Sequence, residues 1–333
     1  MQRVVIATWV LSALVLGGCT PSVQAPAAER GETISTDAFE REDLRFACGD
    51  STCAGWLYRP TGVQEPPIVV MAHGLTGVRT ISLPEYAERF AESGLAVFVF
   101  DYRFFGDSGG SPRNLVNPLR QLEDWRAAIE HVRTLDRVDA DRLAVWGTSF
   151  SGGLVLKAAA DDPEIDAIVA QIPAVDTGAG APGAGPGFVA RVLLAVTLDG
   201  VKSMFSDEAF EIAAFGEPGD FAFFGDSQTM KDLEPMRRSD LPPRRIAGRS
   251  FLTFGDYDPK AAWDHIEVPT LLMASKTDRL AAFAPIAELA DLKKKWVDLV
   301  TFEGNHFSIY QQPLLEWATR TQIDFLSEVL ATP

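Results

Sequence analysis

The stretch WGTSFSGG, residues 146–153, places two serines one residue apart, Ser149 and Ser151, between an apolar run and a run of small residues. A serine hydroxyl is a weak nucleophile until a neighbouring base takes its proton. A sharp strand-to-helix turn is the setting that exposes such a hydroxyl. The chain folds so tightly there that small residues are needed two positions to either side, the logic of G-x-S-x-G. Here the pattern is half met in two frames. With Ser149 at the tip, Gly147 fits upstream and Ser151 replaces the downstream glycine. With Ser151 at the tip, Gly153 fits downstream and Ser149 replaces the upstream glycine. The apolar run Leu143–Trp146 ends directly before Gly147, so strand length favours Ser149. In that frame the backbone N–H of Phe150 faces a developing oxyanion at a helix N-terminus. The non-catalytic alternative is a pair of serines that cap a helix.

A nucleophile of this kind needs elements that hold it at a sheet edge. Apolar runs at 67–74, 95–103, 141–147, 165–173, 269–275 and 296–304 read as buried strands. Helical stretches alternate with them: 83–94, 118–135 with Leu119, Leu122, Trp125, Ile129 and Val132 on one face, 154–161 and 314–330. Strands that are apolar on both faces and alternate with helices imply a mostly parallel α/β sheet covered on both sides. The rhythm stops between residues 176 and 264. This stretch opens on the Gly/Ala/Pro-rich DTGAGAPGAGPG and carries Met204, Phe205, Phe215, Phe221, Phe223 and Phe224. It is expected to be an inserted lid whose aromatic residues form its own core or line an acyl pocket.

Taken together, HGLTG, DYRFFGDSGG, GTSFSGG, KTD and GNHF, each at a strand end, resemble the loops of the α/β-hydrolase fold superfamily. The resemblance runs from about residue 46 to the C-terminus and implies a serine–acid–histidine order along the chain. It assigns the acid to Asp278, after the strand 269–275, and the histidine to His306, after the last strand. His306 would take the Ser149 proton and Asp278 would hold the imidazole tautomer. Asp176, after the preceding strand, is the rival acid. The N–H of Leu75 is the candidate second oxyanion donor beside Phe150. Of the other histidines, His73 is expected to shape its loop, His131 to be solvated and His265 to be structural.

The chain has 333 residues and a formal charge of −16, which argues against nucleic-acid binding, since neutralising phosphates needs a basic face. Residues 1–18 read as a secretory signal: Arg3 is followed by an apolar run, residues 4–16, that is too short for a comfortable membrane span. LGGC, residues 16–19, resembles a bacterial lipobox, which implies lipidation of Cys19 and an Ala/Pro/Glu-rich tether over residues 19–36. The expected location is the bacterial cell envelope, facing the periplasm or exterior, with the lipid anchor in a membrane. Cys48 and Cys53 flank GDST, which suggests a hairpin stapled by a disulfide in an oxidising compartment, with a metal site as the rival reading. The sequence has no phosphate-cradling glycine loop and no metal-ligand spacing, so neither cofactor nor metal is expected. The expected activity is cofactor-free hydrolysis of a small-molecule carboxylic ester or thioester through an acyl-enzyme. Acyl transfer and perhydrolysis use the same residues. A non-catalytic envelope lipoprotein that uses the fold for binding is the alternative from another class.

Overall fold

A computed structural model describes residues 31–176, 186–236 and 244–331. The signal, Cys19, most of the tether and most of the Gly/Ala/Pro hinge lie outside the described residues. The expected mostly parallel α/β sheet is present. Its nine strands are β1 (Thr33–Ser35), β2 (Phe39–Cys48), β3 (Ser51–Pro60), β4 (Pro67–Ala72), β5 (Ala96–Phe100), β6 (Asp139–Thr148), β7 (Ala167–Gln171) and, after a long excursion, β11 (Thr270–Ser275) and β12 (Val297–Phe302). Their spatial order is β1-β2-β3-β5-β4-β6-β7-β11-β12. The first three strands form an antiparallel edge that pairs onto β5. From β5 onward every neighbour is parallel.

The period-two pattern of the parallel strands sorts side chains into two cores. Ile68, Val70, Phe98, Phe100, Val145, Ile168 and Leu272 face one layer, which holds α2 (Pro118–Val132), α3 (Phe150–Ala160) and α6 (Phe283–Leu292). Val69, Met71, Val97, Val99, Trp146, Val169 and Met273 face the other, which holds α1 (Leu83–Glu92) and α7 (Leu314–Val329). All of these strand side chains are buried. This is why the strands read as continuous apolar runs rather than alternating ones.

The segment between β7 and β11 adds α4 (Pro186–Lys202), β8 (Glu211–Gly216), β9 (Ala222–Gly225), α5 (Ser227–Leu233) and β10 (Arg245–Ala247), followed by several single 3₁₀ turns. Its three strands form a separate small sheet of order β10-β8-β9. Two of its apolar residues depart from both expectations. Met204 and Phe205 are neither core nor pocket, being 74% and 83% exposed just beyond the end of α4.

The N-terminal hairpin forms as expected. Cys48 and Cys53 are joined across its turn, and both are fully buried. Asp124 lies close to the two sulfurs, but its carboxylate accepts from Arg103 Nε at 2.6 Å. Sulfurs bonded to each other are not thiolate ligands, so the cluster fits a staple and an ion pair better than a metal site.

Candidate active site

Ser149 stands between β6 and α3 with φ 57° and ψ −118°. A non-glycine residue held there stores about 1–3 kcal/mol of strain, which the surroundings must over-determine. The Ser149 N–H donates to the Gln171 carbonyl at 2.9 Å, and the Ser149 carbonyl accepts from the Ala174 N–H at 2.9 Å. Gly147 is required because a Cβ there would stand 2.2 Å from the Ser151 carbonyl oxygen. On the helical side the tight approaches fall on Gly152 and Gly153. Added Cβ atoms would meet the Pro173 backbone at 2.8 Å and the Tyr257 hydroxyl at 1.9 Å. Position 151 is therefore free to carry a side chain. α3 also begins at Phe150, earlier than the expected start at Leu154, because Ser149 takes the N-cap position.

The three sequence-assigned residues converge. His306, on the loop after β12, has Nε2 2.9 Å from Ser149 Oγ. Its Nδ1 lies 2.7 Å from Asp278 Oδ2, on the loop after β11. The other Asp278 oxygen accepts the N–H groups of Leu280 and Ala281 at 2.7 and 2.9 Å. A carboxylate only accepts, so Nδ1 carries the proton and the Nε2 lone pair faces the serine hydroxyl. Asp176 does not compete for the imidazole, because its carboxylate accepts from Lys260 Nζ at 2.8 Å.

Ser151 occupies a different environment. It is fully buried, and its Oγ donates to the His73 carbonyl at 2.5 Å. The Tyr102 hydroxyl is bonded to the same Oγ and accepts from Trp125 Nε1 at 2.7 Å. Burial pushes the Tyr102 phenol far above its ordinary value, which keeps it a donor. The series Trp125–Tyr102–Ser151–His73 thus ties α2, the β5 loop and α3 to the loop after β4.

That loop carries the second sequence-assigned donor, Leu75. A Cβ on Gly74 would stand 3.1 Å from Ser149 Cβ, so the loop backbone packs directly over the serine. Leu75 and Phe150 line the same cavity as Ser149. Among the described residues neither backbone N–H has an acceptor. His73 shapes the loop: it is buried, its Nδ1–H donates to the Gly74 carbonyl at 2.9 Å, and desolvation holds its imidazole below the ordinary histidine value.

The serine opens onto a cavity of about 510 Å³, an ordinary size for a small-molecule site. Phe188, Phe215, Phe223, Phe224, Phe251 and Phe254, all from the segment between β7 and β11, line its upper wall. Phe223 packs against Phe254 at 5.5 Å between ring centroids, and Phe215 against Phe307, the neighbour of His306, at 6.0 Å.

Several residues at this site were not assigned from sequence. Tyr257 stacks on Phe150 at 4.1 Å, and its hydroxyl reaches the Phe150 carbonyl at 2.9 Å and the Ala174 carbonyl, clamping the turn. Tyr310 is bonded to Thr148 Oγ1, and burial pushes its phenol up to about 12. Arg244 lines the cavity. A tyrosine at the end of a 3₁₀ turn carries no motif, and the position of Arg244 depends on how the long segment folds.

Two histidine expectations are corrected. His131 is not solvated. It stacks on Phe46 at 5.3 Å and 12°, where the exposed-looking face of α2 meets the β2–β3 hairpin, and its Nε2 is buried without a partner. His265 is exposed at the end of a 3₁₀ turn rather than built into the core.

Comparison with known proteins agrees with this fold. A relative of 34% identity over 289 residues, spanning 86% of this chain and 95% of its own length, is the quorum-quenching protein AidA of Acinetobacter baumannii. The polyketide transferase af380 of Aspergillus fumigatus is 25% identical over 302 residues, 88% of this chain and 99% of that one. Among solved structures, the alpha/beta hydrolase GrgF from Penicillium sp. sh18 superposes with a TM-score of 0.75 at 23% identity, covering 88% of this chain and 99% of that one. The sequence profile described as "Alpha/beta hydrolase family" matches residues 69–320, most of the chain, and the chain therefore belongs to the alpha/beta hydrolase family.

Proposed function

We propose that the chain is a serine hydrolase that cleaves a carboxylic ester or thioester through an acyl-enzyme on Ser149. Ser149 Oγ attacks the substrate carbonyl carbon as His306 Nε2 takes its proton. The carbonyl oxygen becomes an oxyanion and accepts from the N–H groups of Phe150 and Leu75. Collapse expels the alcohol or thiol, which leaves with the His306 proton. Water then gives a proton to His306 and its oxygen to the acyl carbon, releasing the acid and restoring Ser149. Asp278 holds the tautomer and stabilises the imidazolium in both halves.

The observation that carries this reading is the bonded series Ser149–His306–Asp278 at the floor of an apolar cavity. The names of relatives are in keeping with it. A thiohydrolase, aneE of Aspergillus aculeatus, is 36% identical over 122 residues, and the transferase af380 aligns over nearly its whole length. Acyl transfer to an acceptor other than water is the second reading, because it changes only the molecule that meets the acyl-enzyme. We also propose that residues 176–264 act as a lid, since this segment supplies most of the aromatic wall. Lipidation at Cys19 and a cell-envelope location complete the proposal, and the Cys48–Cys53 pair is in keeping with an oxidising compartment.

The test is hydrolysis of 4-nitrophenyl butyrate and an acyl thioester by wild-type chain and by Ser149→Ala. Turnover in the wild type that disappears in the variant supports the proposal. Turnover that survives Ser149→Ala, or a folded wild type that cleaves neither substrate, contradicts it.

A further inference from the structure

Four charged side chains line the active-site cavity among the described residues: Asp176, Arg244, Asp278 and Arg279. Three have ion-pair partners. Asp278 holds His306 at 2.7 Å, Arg279 Nη1 donates to Asp226 at 3.0 Å, and Asp176 accepts from Lys260 at 2.8 Å. Arg244 differs. Its guanidinium makes no ion pair and no side-chain hydrogen bond among the described residues. Its charge lies 5.8 Å from the centroid of the Phe215 ring and within electrostatic reach of Tyr310. Phe215 in turn lies against Phe307, so Arg244 overlies the catalytic end of the cavity rather than a remote branch.

A guanidinium cannot shed its proton to escape burial. Desolvation lowers the Arg244 pKa, and no carboxylate stands near enough to raise it again. Arg244 is half-buried at the cavity wall, and a cation desolvated there without a counter-ion is costly to the fold. Elsewhere the chain handles this differently: buried Arg103 is bonded to Asp50, Glu123 and Asp124, and Arg79 to Asp101 and Asp107. The cavity is where an acidic ligand oxygen would meet Arg244, and the planar fork of donors matches a carboxylate in two parallel bonds.

Resting on the acyl-enzyme reading above, we propose that Arg244 is a specificity-determining residue that anchors a carboxylate on the substrate. The preferred ester or thioester is then an acidic molecule, not a neutral fatty acyl compound. The carboxylate sits on either the acyl part or the leaving group.

The experiment compares matched pairs on the full chain in detergent. For the acyl side, the 4-nitrophenyl hemiesters of adipate and suberate are set against their methyl-capped neutral counterparts. For the leaving-group side, 4-acetoxybenzoate is set against its methyl ester. The readout is the ratio of kcat/KM, anionic over neutral, in wild type, Arg244→Met and Arg244→Lys. The expected ratio in the wild type is about tenfold or more on one of the two arms, the range of a charge-assisted hydrogen bond. Arg244→Met is expected to bring that ratio to about one, and Arg244→Lys to restore part of it. Arg244→Gln, which keeps a donor without the charge, replaces the methionine variant if that one fails to fold. An equal ratio in wild type and Arg244→Met on both arms overturns the proposal.

A second readout needs no turnover. Calorimetric binding of monomethyl adipate and of 4-acetoxybenzoate is measured to Ser149→Ala with and without Arg244→Met. Binding of either ligand that is lost only with Arg244→Met supports the anion site even in a chain that hydrolyses nothing, and in that case the serine-hydrolase reading alone falls. Hydrolysis of acidic and neutral esters at equal rates, unaltered in ratio by Arg244→Met, keeps the hydrolase reading and removes this one.

Discussion

The floor and the roof of the cavity are built by different means. The floor consists of loops at the carboxyl ends of β4, β6, β11 and β12; the first three strands are paired on both sides, and β12, at the sheet's edge, is paired in parallel along its length with β11. Beneath it lies a buried polar network: Trp146 Nε1 donates to Gln322 Oε1 at 2.8 Å, and Gln322 Nε2 donates to Gln171 Oε1 at 2.8 Å. The roof is aromatic side chains on short strands, single turns and the first turn of α4, packed ring against ring. A hydrogen bond of the floor loses its function if it shifts by an ångström. A ring of the roof can move and still cover apolar substrate. The floor should therefore govern the chemical step and the roof the choice of substrate.

The floor should give the largest effects. Ser149→Ala is expected to lower kcat by about 10⁴–10⁶-fold, with KM little altered. Asp278→Asn should cost about 10⁴-fold, because Asn can stabilise the wrong tautomer of His306. Steady-state kinetics on 4-nitrophenyl butyrate check both, and a loss under tenfold in either would erase the distinction between floor and roof.

Ser151 makes the comparison sharper, because it lies two residues from Ser149 and touches no substrate space. Ser151→Ala leaves the His73 carbonyl and the Tyr102 hydroxyl without their partner, at a cost of about 1–3 kcal/mol in stability. Through the Leu75 loop it should lower kcat by about 10-fold while KM stays within about 2-fold, the signature of a misplaced oxyanion donor. Equal rises in KM with kcat unchanged would show that the series Trp125–Tyr102–Ser151–His73 is only structural.

The roof should respond the other way. We expect its phenylalanines to select medium acyl chains. Phe223→Ala, which opens space among Phe188, Phe251 and Phe254, should shift the preferred acyl length upward by a few carbons and change kcat/KM by about 3–30-fold. A wild-type profile that is flat or peaks at acetyl would remove the roof from substrate choice.

The smallest effect lies outside both regions. Desolvation holds His131 below its ordinary value near 6.5, so it stays neutral in the folded chain where the unfolded chain already binds a proton. Stability from this site is complete above that ordinary value and declines as pH falls beneath it. His131→Phe should flatten the fall in Tm on acidification while leaving Tm near neutral pH almost unchanged. An unaltered slope would mean that His131 does not titrate there.

The floor was legible because the chemistry of strand ends is local. Gly147 must be small, Ser149 follows the apolar run, and Asp278 and His306 each sit just past a strand. The frame at 147–153 was legible for a related reason: strand length outweighed a missing glycine. The space that glycine usually leaves is supplied here by Gly152 and Gly153. The roof was much less legible. Phe215, Phe223 and Phe224 turn inward while Met204 and Phe205 turn outward. Composition alone cannot separate them, because their facing depends on how three short strands pair. His131 shows the same limit, since its helical face looks polar until the β2–β3 hairpin covers it.

The most direct test is labelling of the folded chain with a fluorophosphonate, followed by mass spectrometry of the modified peptide in wild type, Ser149→Ala and Ser151→Ala. One phosphonyl group is expected on Ser149, absent in Ser149→Ala and retained in Ser151→Ala. Label on Ser151, or no label on folded protein, would contradict the account.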